Sequence, residues 1–167
     1  MREILFRGKR IDNGEWVYGY YGLFIDKSDI YVPYTAEEME KYKGHFVSKI
    51  GGLWHTVDLK TIGQYTGLTD SKGKKIFEGD IIRYADIDEY RMYLEALESP
   101  QDYEEFVFDI WTIDEVVYGL EVGYPAFDLN KHDWEVNGLS NLNESGQFFY
   151  EIIGNIHDNP KLLGGAE

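Results

Sequence analysis

The chain has 167 residues, a formal net charge of −15 and no cysteine. This length allows one domain with a full core or two small subdomains. The absence of thiols excludes disulfides and thiolate metal sites and favours a reducing, cytoplasmic setting. Charges interrupt the N-terminal residues, which excludes a signal peptide, and no run approaches the about 20 apolar residues of a membrane helix. We therefore expect a soluble cytoplasmic protein.

The N-terminal residues predict a β-hairpin. A strand over Glu3–Arg10 is followed by Asn13-Gly14, a pair typical of a type I′ turn because both of its central residues take positive φ. The return strand, Trp16–Tyr21, carries three aromatic side chains on one face: Trp16, Tyr18 and Tyr20. This aromatic stripe is a candidate interaction surface. We expect it to be buried in the core or between subunits, the alternative being a stacking platform for a ligand or base.

Further turn signals follow before residue 60. They predict a hairpin with strands at Leu23–Ile25 and Ile30–Val32, then a short helix from the capping box at Thr35 to about Lys43. A third hairpin is expected around Gly51-Gly52, with strands at His45–Ile50 and Leu53–Val57. Asp58 can cap a single helical turn after it.

The densest turn chemistry lies in Thr61–Tyr84. Asp70–Lys74 and Glu78–Asp80 predict two tight turns, and Ile76-Phe77 and Ile81–Tyr84 predict short strands beside them. We interpret the stretch as structural. The alternative is acid–base chemistry by three carboxylates close in sequence, Asp70, Glu78 and Asp80.

The excess negative charge lies entirely after Tyr84, where residues 85–167 carry three basic and nineteen acidic side chains. Asp86 can cap a helix whose apolar residues recur at helical spacing, Ile87, Tyr90, Leu94 and Leu97, and which stops at Ser99-Pro100. We call Asp86–Glu105 the acidic segment and expect a helical insertion. Its candidate interaction residues are Asp86, Asp88, Glu89, Glu95, Glu98, Asp102, Glu104 and Glu105. Such a field favours a basic partner and opposes direct nucleic-acid binding, the alternative being solubility alone.

Strand patterns return after the acidic segment, at Phe106–Thr112, Val116–Leu120 and Tyr124–Leu129. Asn130–Gly146 is rich in turn residues and predicts a loop or loose hairpin, and Gln147–Ile156 predicts the last strand. The chain as a whole predicts a mainly β (β-rich α+β) fold. We divide it into an N-terminal β-rich subdomain, 1–60, and a C-terminal subdomain, 61–167, which carries the acidic helical insertion, 86–105.

Three separated segments resemble the YopX family of small phage and prophage proteins. They read FRGKRIDNGEWVYGY (Phe6–Tyr20), TIGQYTGLTDSKGKKIFEGDIIRY (Thr61–Tyr84) and YEIIGNIHDNPKLL (Tyr150–Leu163). The resemblance implies a mainly β protein with a small SH3-like β-barrel in the C-terminal part, self-associating into a homo-oligomer. It implies no reaction, and the family supplies no catalytic residues.

Metal and nucleophile patterns are weak. His45 and His55 could face each other across a hairpin, but two histidines without nearby carboxylates are more often plain polar strand residues. Asp128, Asp133 and Glu135 around His132 could bind Ca²⁺, but their spacing does not match an EF-hand loop. The sequence contains neither a phosphate-binding loop nor a GxSxG elbow. We assign no catalytic residue, cofactor or metal.

These observations predict a non-enzymatic binding or assembly module with an acidic surface, which engages a basic host or phage protein. Two alternatives stay open. One is a hydrolase or nucleotide-processing enzyme that uses dispersed carboxylates, converging in a pocket with perturbed pKa values. The other is a DNA mimic, in which an ordered row of carboxylates occupies a nucleic-acid-binding protein.

Overall fold

Antiparallel strands dominate the described chain, which confirms the mainly β class. The computed structural model describes residues 4–23, 46–50, 53–119, 126–130 and 138–164. The chain forms two compact units, Met1–Tyr65 and Thr66–Glu167. Within the described ranges, no helix is both long and apolar enough to cross a membrane.

The described part of the first unit is built from strands in the order β4-β3-β2-β1-β5. Their bounds are β1 Phe6–Lys9, β2 Trp16–Leu23, β3 Phe46–Ile50, β4 Leu53–Val57 and β5 Gly63–Thr69, the last of which continues into the second unit. A 3-10 helix, Leu59–Thr61, connects β4 to β5. Asp58 caps it as predicted, because its side chain accepts a hydrogen bond of 3.0 Å from the Lys60 N–H.

The predicted hairpin of β1 and β2 forms, with Arg7 opposite Tyr18 and Lys9 opposite Trp16. Its loop is longer than a two-residue type I′ turn. The Arg10 N–H donates to Glu15 O and the Gly14 N–H donates to Arg10 O, both at 2.9 Å, which places four residues in the loop. Gly14 takes φ +73°, which glycine adopts without steric cost.

The second unit contains a four-stranded antiparallel sheet in the order β10-β7-β8-β9. In the described ranges its elements after β5 are β6 Lys75–Phe77, β7 Asp80–Asp86, α1 Ile87–Glu98, β8 Thr112–Gly119, β9 Ala126–Leu129, α2 Gly138–Ser145 and β10 Phe148–Asn155, with 3-10 helices at Pro100–Asp102, Glu105–Phe108 and Pro160–Leu163. The turns on either side of β6 follow the prediction, since Gly73 and Gly79 take φ +82° and +77°. The SH3-like form of this region stays a prediction.

Helix α2 packs on the sheet to form the core of the second unit. Buried side chains from β6, β7, β8, β9, α2 and β10 make one cluster: Ile76, Ile82, Tyr84, Val116, Phe127, Leu129, Leu139, Leu142 and Tyr150. Burial of large apolar side chains is the dominant stabilising term in folding, at about 1.5–3 kcal/mol each.

Two sequence-based predictions are wrong in this unit. Asn130–Gly146 is predicted as a loop, but Gly138–Ser145 forms α2, because Leu139 and Leu142 are buried in the core at helical spacing. Phe106–Thr112 is predicted as a strand, but a 3-10 helix covers Glu105–Phe108 and the strand begins only at Thr112. The predicted last strand is confirmed as β10.

Several predictions fall partly or wholly on residues outside the described ranges. Residues 24–32 of the hairpin predicted at 23–32 lie there, and so do the helix at 35–43 and the turn residues Gly51 and Gly52, whereas Leu23 is the last residue of β2. The strands on either side of that turn are described, and they pair as the third hairpin requires, with Ile50 opposite Leu53 and Phe46 opposite Val57.

Candidate functional site

The acidic segment begins with the predicted helix, α1. Its N-terminus is capped by Asp86, whose side chain accepts a 2.8 Å hydrogen bond from the Asp88 N–H. Asp88 and Glu89 add negative charge to the first turn, where the helix dipole is positive. The helix ends at Ser99, ahead of a proline that starts the next turn.

Aromatic rings attach α1 to the sheet of the second unit. The Tyr90 ring lies 3.8 Å from the Phe149 ring, centroid to centroid, with the two planes 8° apart. Tyr90 and Tyr93 also meet the Trp111 indole edge to face, at 5.7 and 5.6 Å. Ala96, one turn after Tyr93, is fully buried. These contacts pack α1 against Phe149 of β10 and against Trp111, which precedes β8.

The apolar stripe predicted on α1 is only half covered. Ile87 and Tyr90, in the first half of the helix, are partly buried. Leu94 and Leu97, in the second half, are 44% and 52% exposed. Met92, on another face of the helix, is also 44% exposed. The C-terminal half of α1 thus presents large apolar side chains to solvent.

Most of the exposed charged side chains of the acidic segment are carboxylates. Asp86 is partly buried at the cap, and the other predicted acidic residues are exposed: Asp88, Glu89, Glu95, Glu98, Asp102, Glu104 and Glu105. Asp88 accepts a 2.8 Å hydrogen bond from Arg91. Glu95 accepts one of 2.9 Å from the Tyr103 hydroxyl, and this bond, with a smaller contribution from burial, raises the pKa of Tyr103. The site is an apolar patch within an acidic field.

The aromatic stripe of the first unit is more open than a core face. The Trp16 indole is partly buried and lies 4.8 Å from the Arg7 guanidinium carbon and 5.6 Å from Lys9 Nζ. Tyr18 is 46% exposed, and the side chain of Tyr20 lies outside the described residues. Burial of the stripe between subunits stays a prediction.

The carboxylates of the turns around β6 stabilise those turns, as the structural interpretation predicts. Asp70 is 5% exposed and accepts two backbone hydrogen bonds within its own turn, at 2.8 and 3.0 Å, and one from β10 at 3.2 Å. Asp80 is 2% exposed and accepts a 2.7 Å bond from the Phe77 N–H.

An ion network joins β7, β10 and the turn before β6. Arg83 Nε donates to Glu151 Oε1 at 2.7 Å, and Lys72 also pairs with the Glu151 carboxylate. The Arg83 guanidinium carbon lies 4.1 Å from the centroid of the Trp111 ring. Burial raises the pKa of Glu151, but the hydrogen bonds from Lys72 and Arg83 outweigh burial and lower this pKa below its ordinary value. The carboxylate is therefore held ionised by two cations.

Sequence reasoning missed this network, although a signal was present. Arg83 is the one charged residue in IIRYA, and Glu151 is the one charged residue in FFYEIIG. Single charges of opposite sign in two apolar strands indicate a cross-strand pair, since burial of either charge alone is costly.

The two histidine patterns lie partly outside the described ranges. His45 and His132 lie outside the described ranges, and so do Asp133 and Glu135, whereas His55 and Asp128 are described. Among the residues whose placement is described, no three side chains of His, Asp or Glu come together as a metal site would require.

A model of the YopX protein family matches residues 5–164 of the chain. Among solved structures, the crystal structure of protein EF1440 from Enterococcus faecalis is similar, with a TM-score of 0.49 and 20% sequence identity. That match covers 98% of this chain and 99% of the other. No curated protein matches the chain.

Proposed function

The chain belongs to the YopX protein family, and from this membership and the surface of α1 we propose that it is a non-enzymatic binding module of phage or prophage type that captures a basic protein. A single observation carries the proposal. Leu94 and Leu97 are 44% and 52% exposed on a helix whose other exposed side chains are mostly acidic. An exposed apolar patch rimmed by charge is typical of an interaction site.

Charge complementarity supports a basic partner. The acidic segment carries eight acidic side chains and a single basic one, Arg91. A basic surface is attracted to such a field, which raises the rate of encounter, and the apolar contact with Leu94 and Leu97 then slows dissociation. Because exposed charges are screened beyond about 8 Å at physiological ionic strength, capture should weaken as salt rises.

The ion network and the turn carboxylates support a non-enzymatic module over the hydrolase alternative. Asp70 and Asp80 are occupied by backbone N–H groups. Glu151 is occupied by Arg83 and Lys72. Each of these buried carboxylates thus already stabilises a turn or a strand pair.

The test is capture from host lysate by the tagged protein, followed by identification of the bound protein and measurement of its affinity in purified form. The double variant Leu94→Ser/Leu97→Ser should lose about five- to thirtyfold in affinity, because it removes two apolar contacts worth about 1–2 kcal/mol together. Leu162→Ser is the matched control, since Leu162 is 39% exposed and lies on a different helix.

The captured protein should be basic, and its affinity should fall as salt is raised. A partner that is acidic, or one that binds the double variant and the wild type equally, would reject this function.

A further inference from the structure

A cavity of about 420 Å³ lies against α1 on the face that carries Glu89 and Met92. It is lined by three apolar side chains, Met92, Val107 and Ile110, and by two carboxylates, Glu89 and Asp109. Val107 is 4% exposed, so the cavity has a buried apolar wall, whereas Glu89 and Asp109 are exposed and stand at its rim. We call it the α1 groove.

The groove lies between α1 and the segment that runs from the 3-10 helix Glu105–Phe108 to Ile110. Glu89 and Met92 lie one turn apart on α1, and Val107 belongs to the 3-10 helix Glu105–Phe108. The Tyr93 and Phe108 rings meet edge to face at 6.3 Å, which fastens the 3-10 helix to α1. The groove therefore belongs to the packed structure of the second unit.

The lining fits one kind of side chain. A lysine or arginine has an aliphatic stem that packs on apolar surface and a cationic head that seeks carboxylates or water. The apolar wall of the α1 groove suits the stem, and the rim carboxylates suit the head. A neutral apolar group would pack on the apolar wall but would leave the rim carboxylates without a cation. An anion would be repelled by the same carboxylates.

We infer that the α1 groove binds a single arginine or lysine side chain of the basic partner. The inference rests on the proposed function, which names the partner's charge and its contact with Leu94 and Leu97 but not the side chain that the groove receives. Methionine is well suited to such a wall, since its flexible, polarizable side chain adapts to differently shaped ligands. Arginine would also form charge-assisted hydrogen bonds with the rim carboxylates.

The first test uses a defined probe and needs no identified partner. The peptide Ac-Gly-Gly-Arg-Gly-Gly-NH2 is titrated into ¹⁵N-labelled full-length protein, and backbone amide shifts are followed by NMR. The expected result is saturable shifts at Met92, Val107 and Ile110. The same peptide with citrulline, which keeps the shape but lacks the charge, should bind about tenfold more weakly.

Matched variants separate the groove from carboxylates elsewhere on the second unit. Glu89→Gln/Asp109→Asn should weaken the arginine peptide about tenfold, whereas Glu144→Gln, at an exposed carboxylate on α2, should leave its affinity within about twofold. Equal losses in all variants, equal binding of the citrulline peptide, or shifts confined to residues away from the groove would overturn the inference.

Failure of this inference and failure of the proposed function give different results. If the basic partner is captured and lost in Leu94→Ser/Leu97→Ser but is unaffected by Glu89→Gln/Asp109→Asn, the groove assignment is wrong and the binding function stands. If the arginine peptide binds the groove and the lysate yields no basic partner, the groove assignment stands and the proposed function falls.

Discussion

Arg83 and Glu151 are direct partners in the register of β7 and β10, and Arg83 Nε donates to Glu151 Oε1 at 2.7 Å. The Glu151 side chain is 9% exposed and that of Arg83 is 33% exposed, so the pair lies at the edge of the buried region. The backbone pairing and the ion pair thus reinforce each other, and loss of the charge on Glu151 should destabilise the sheet.

Glu151→Gln should lower the free energy of unfolding at pH 7 by about 1–3 kcal/mol, because hydrogen bonds to a charged group are lost and Arg83 stays partly buried. Since folding lowers the pKa of Glu151, its contribution is present above the ordinary glutamate range and is lost as the pH falls through the folded pKa. Urea unfolding of both proteins between pH 7 and pH 3 measures this. The difference should shrink below about pH 4, and Glu144→Gln, an exposed control, should change stability by less than about 0.5 kcal/mol.

Gly79→Val should destabilise the second unit by about 1–3 kcal/mol, because Gly79 is buried at φ +77° and a β-branched residue is strained there. Gly73→Val is the comparison. Gly73 takes φ +82°, but an added Cβ would meet nothing within 4 Å, so that variant reports the backbone strain alone. Thermal unfolding followed by circular dichroism checks both, and an unchanged Tm for Gly79→Val would show the strain argument to be wrong.

Gly154→Ala should destabilise by about 1–3 kcal/mol through crowding. A Cβ at this position would lie 2.6 Å from Asn159 Oδ1 and 2.9 Å from Asn159 Cβ, distances that force a shift. Asn159→Ala should relieve part of this crowding, so the double variant should lose less than the sum of the single variants. A double-mutant cycle from urea unfolding measures the coupling, and strict additivity would contradict the expected contact.

Replacement of the acidic segment by a short Gly-Ser loop should leave the second unit folded but less stable. The core cluster includes no side chain from α1, so the strands keep their apolar contacts, while Phe149 and Trp111 lose their aromatic partners on the helix. We expect a cooperative but lower thermal transition and loss of partner capture. Absence of a cooperative transition would mean that the segment belongs to the core.

Tyr18, at 46% exposure in the single chain, should become buried if the aromatic stripe joins subunits. Tyr18→Ser would then reduce the assembly to a smaller species, as interfaces favour aromatic residues. Sedimentation velocity over a range of concentrations measures the mass. Tyr118→Ser, at a residue 40% exposed in the second unit, is the control. If the wild-type protein stays monomeric at every concentration, the prediction of a homo-oligomer is wrong.

Local chemistry in the sequence determined the turns and the helix ends. The positions of Gly14, Gly73 and Gly79 were predictable because a positive φ is a property of one residue and its neighbours. The start of α1 was predictable for the same reason, since the Asp86 cap bonds to a backbone group two residues away.

Long-range packing decided the helical state of α2, the pairing of Arg83 with Glu151 and the burial of the apolar residues of α1. Helix α2 contains glycine, serine and asparagine, which favour turns, and it is helical because Leu139 and Leu142 are buried in a core assembled from distant strands. Arg83 and Glu151, 68 residues apart, meet only through the register of β7 and β10. The helical spacing of the apolar residues in α1 was predictable from the sequence, but which of them are buried was not. Tyr90 lies against the sheet and Leu97 is left in solvent, because burial depends on where the neighbouring elements end.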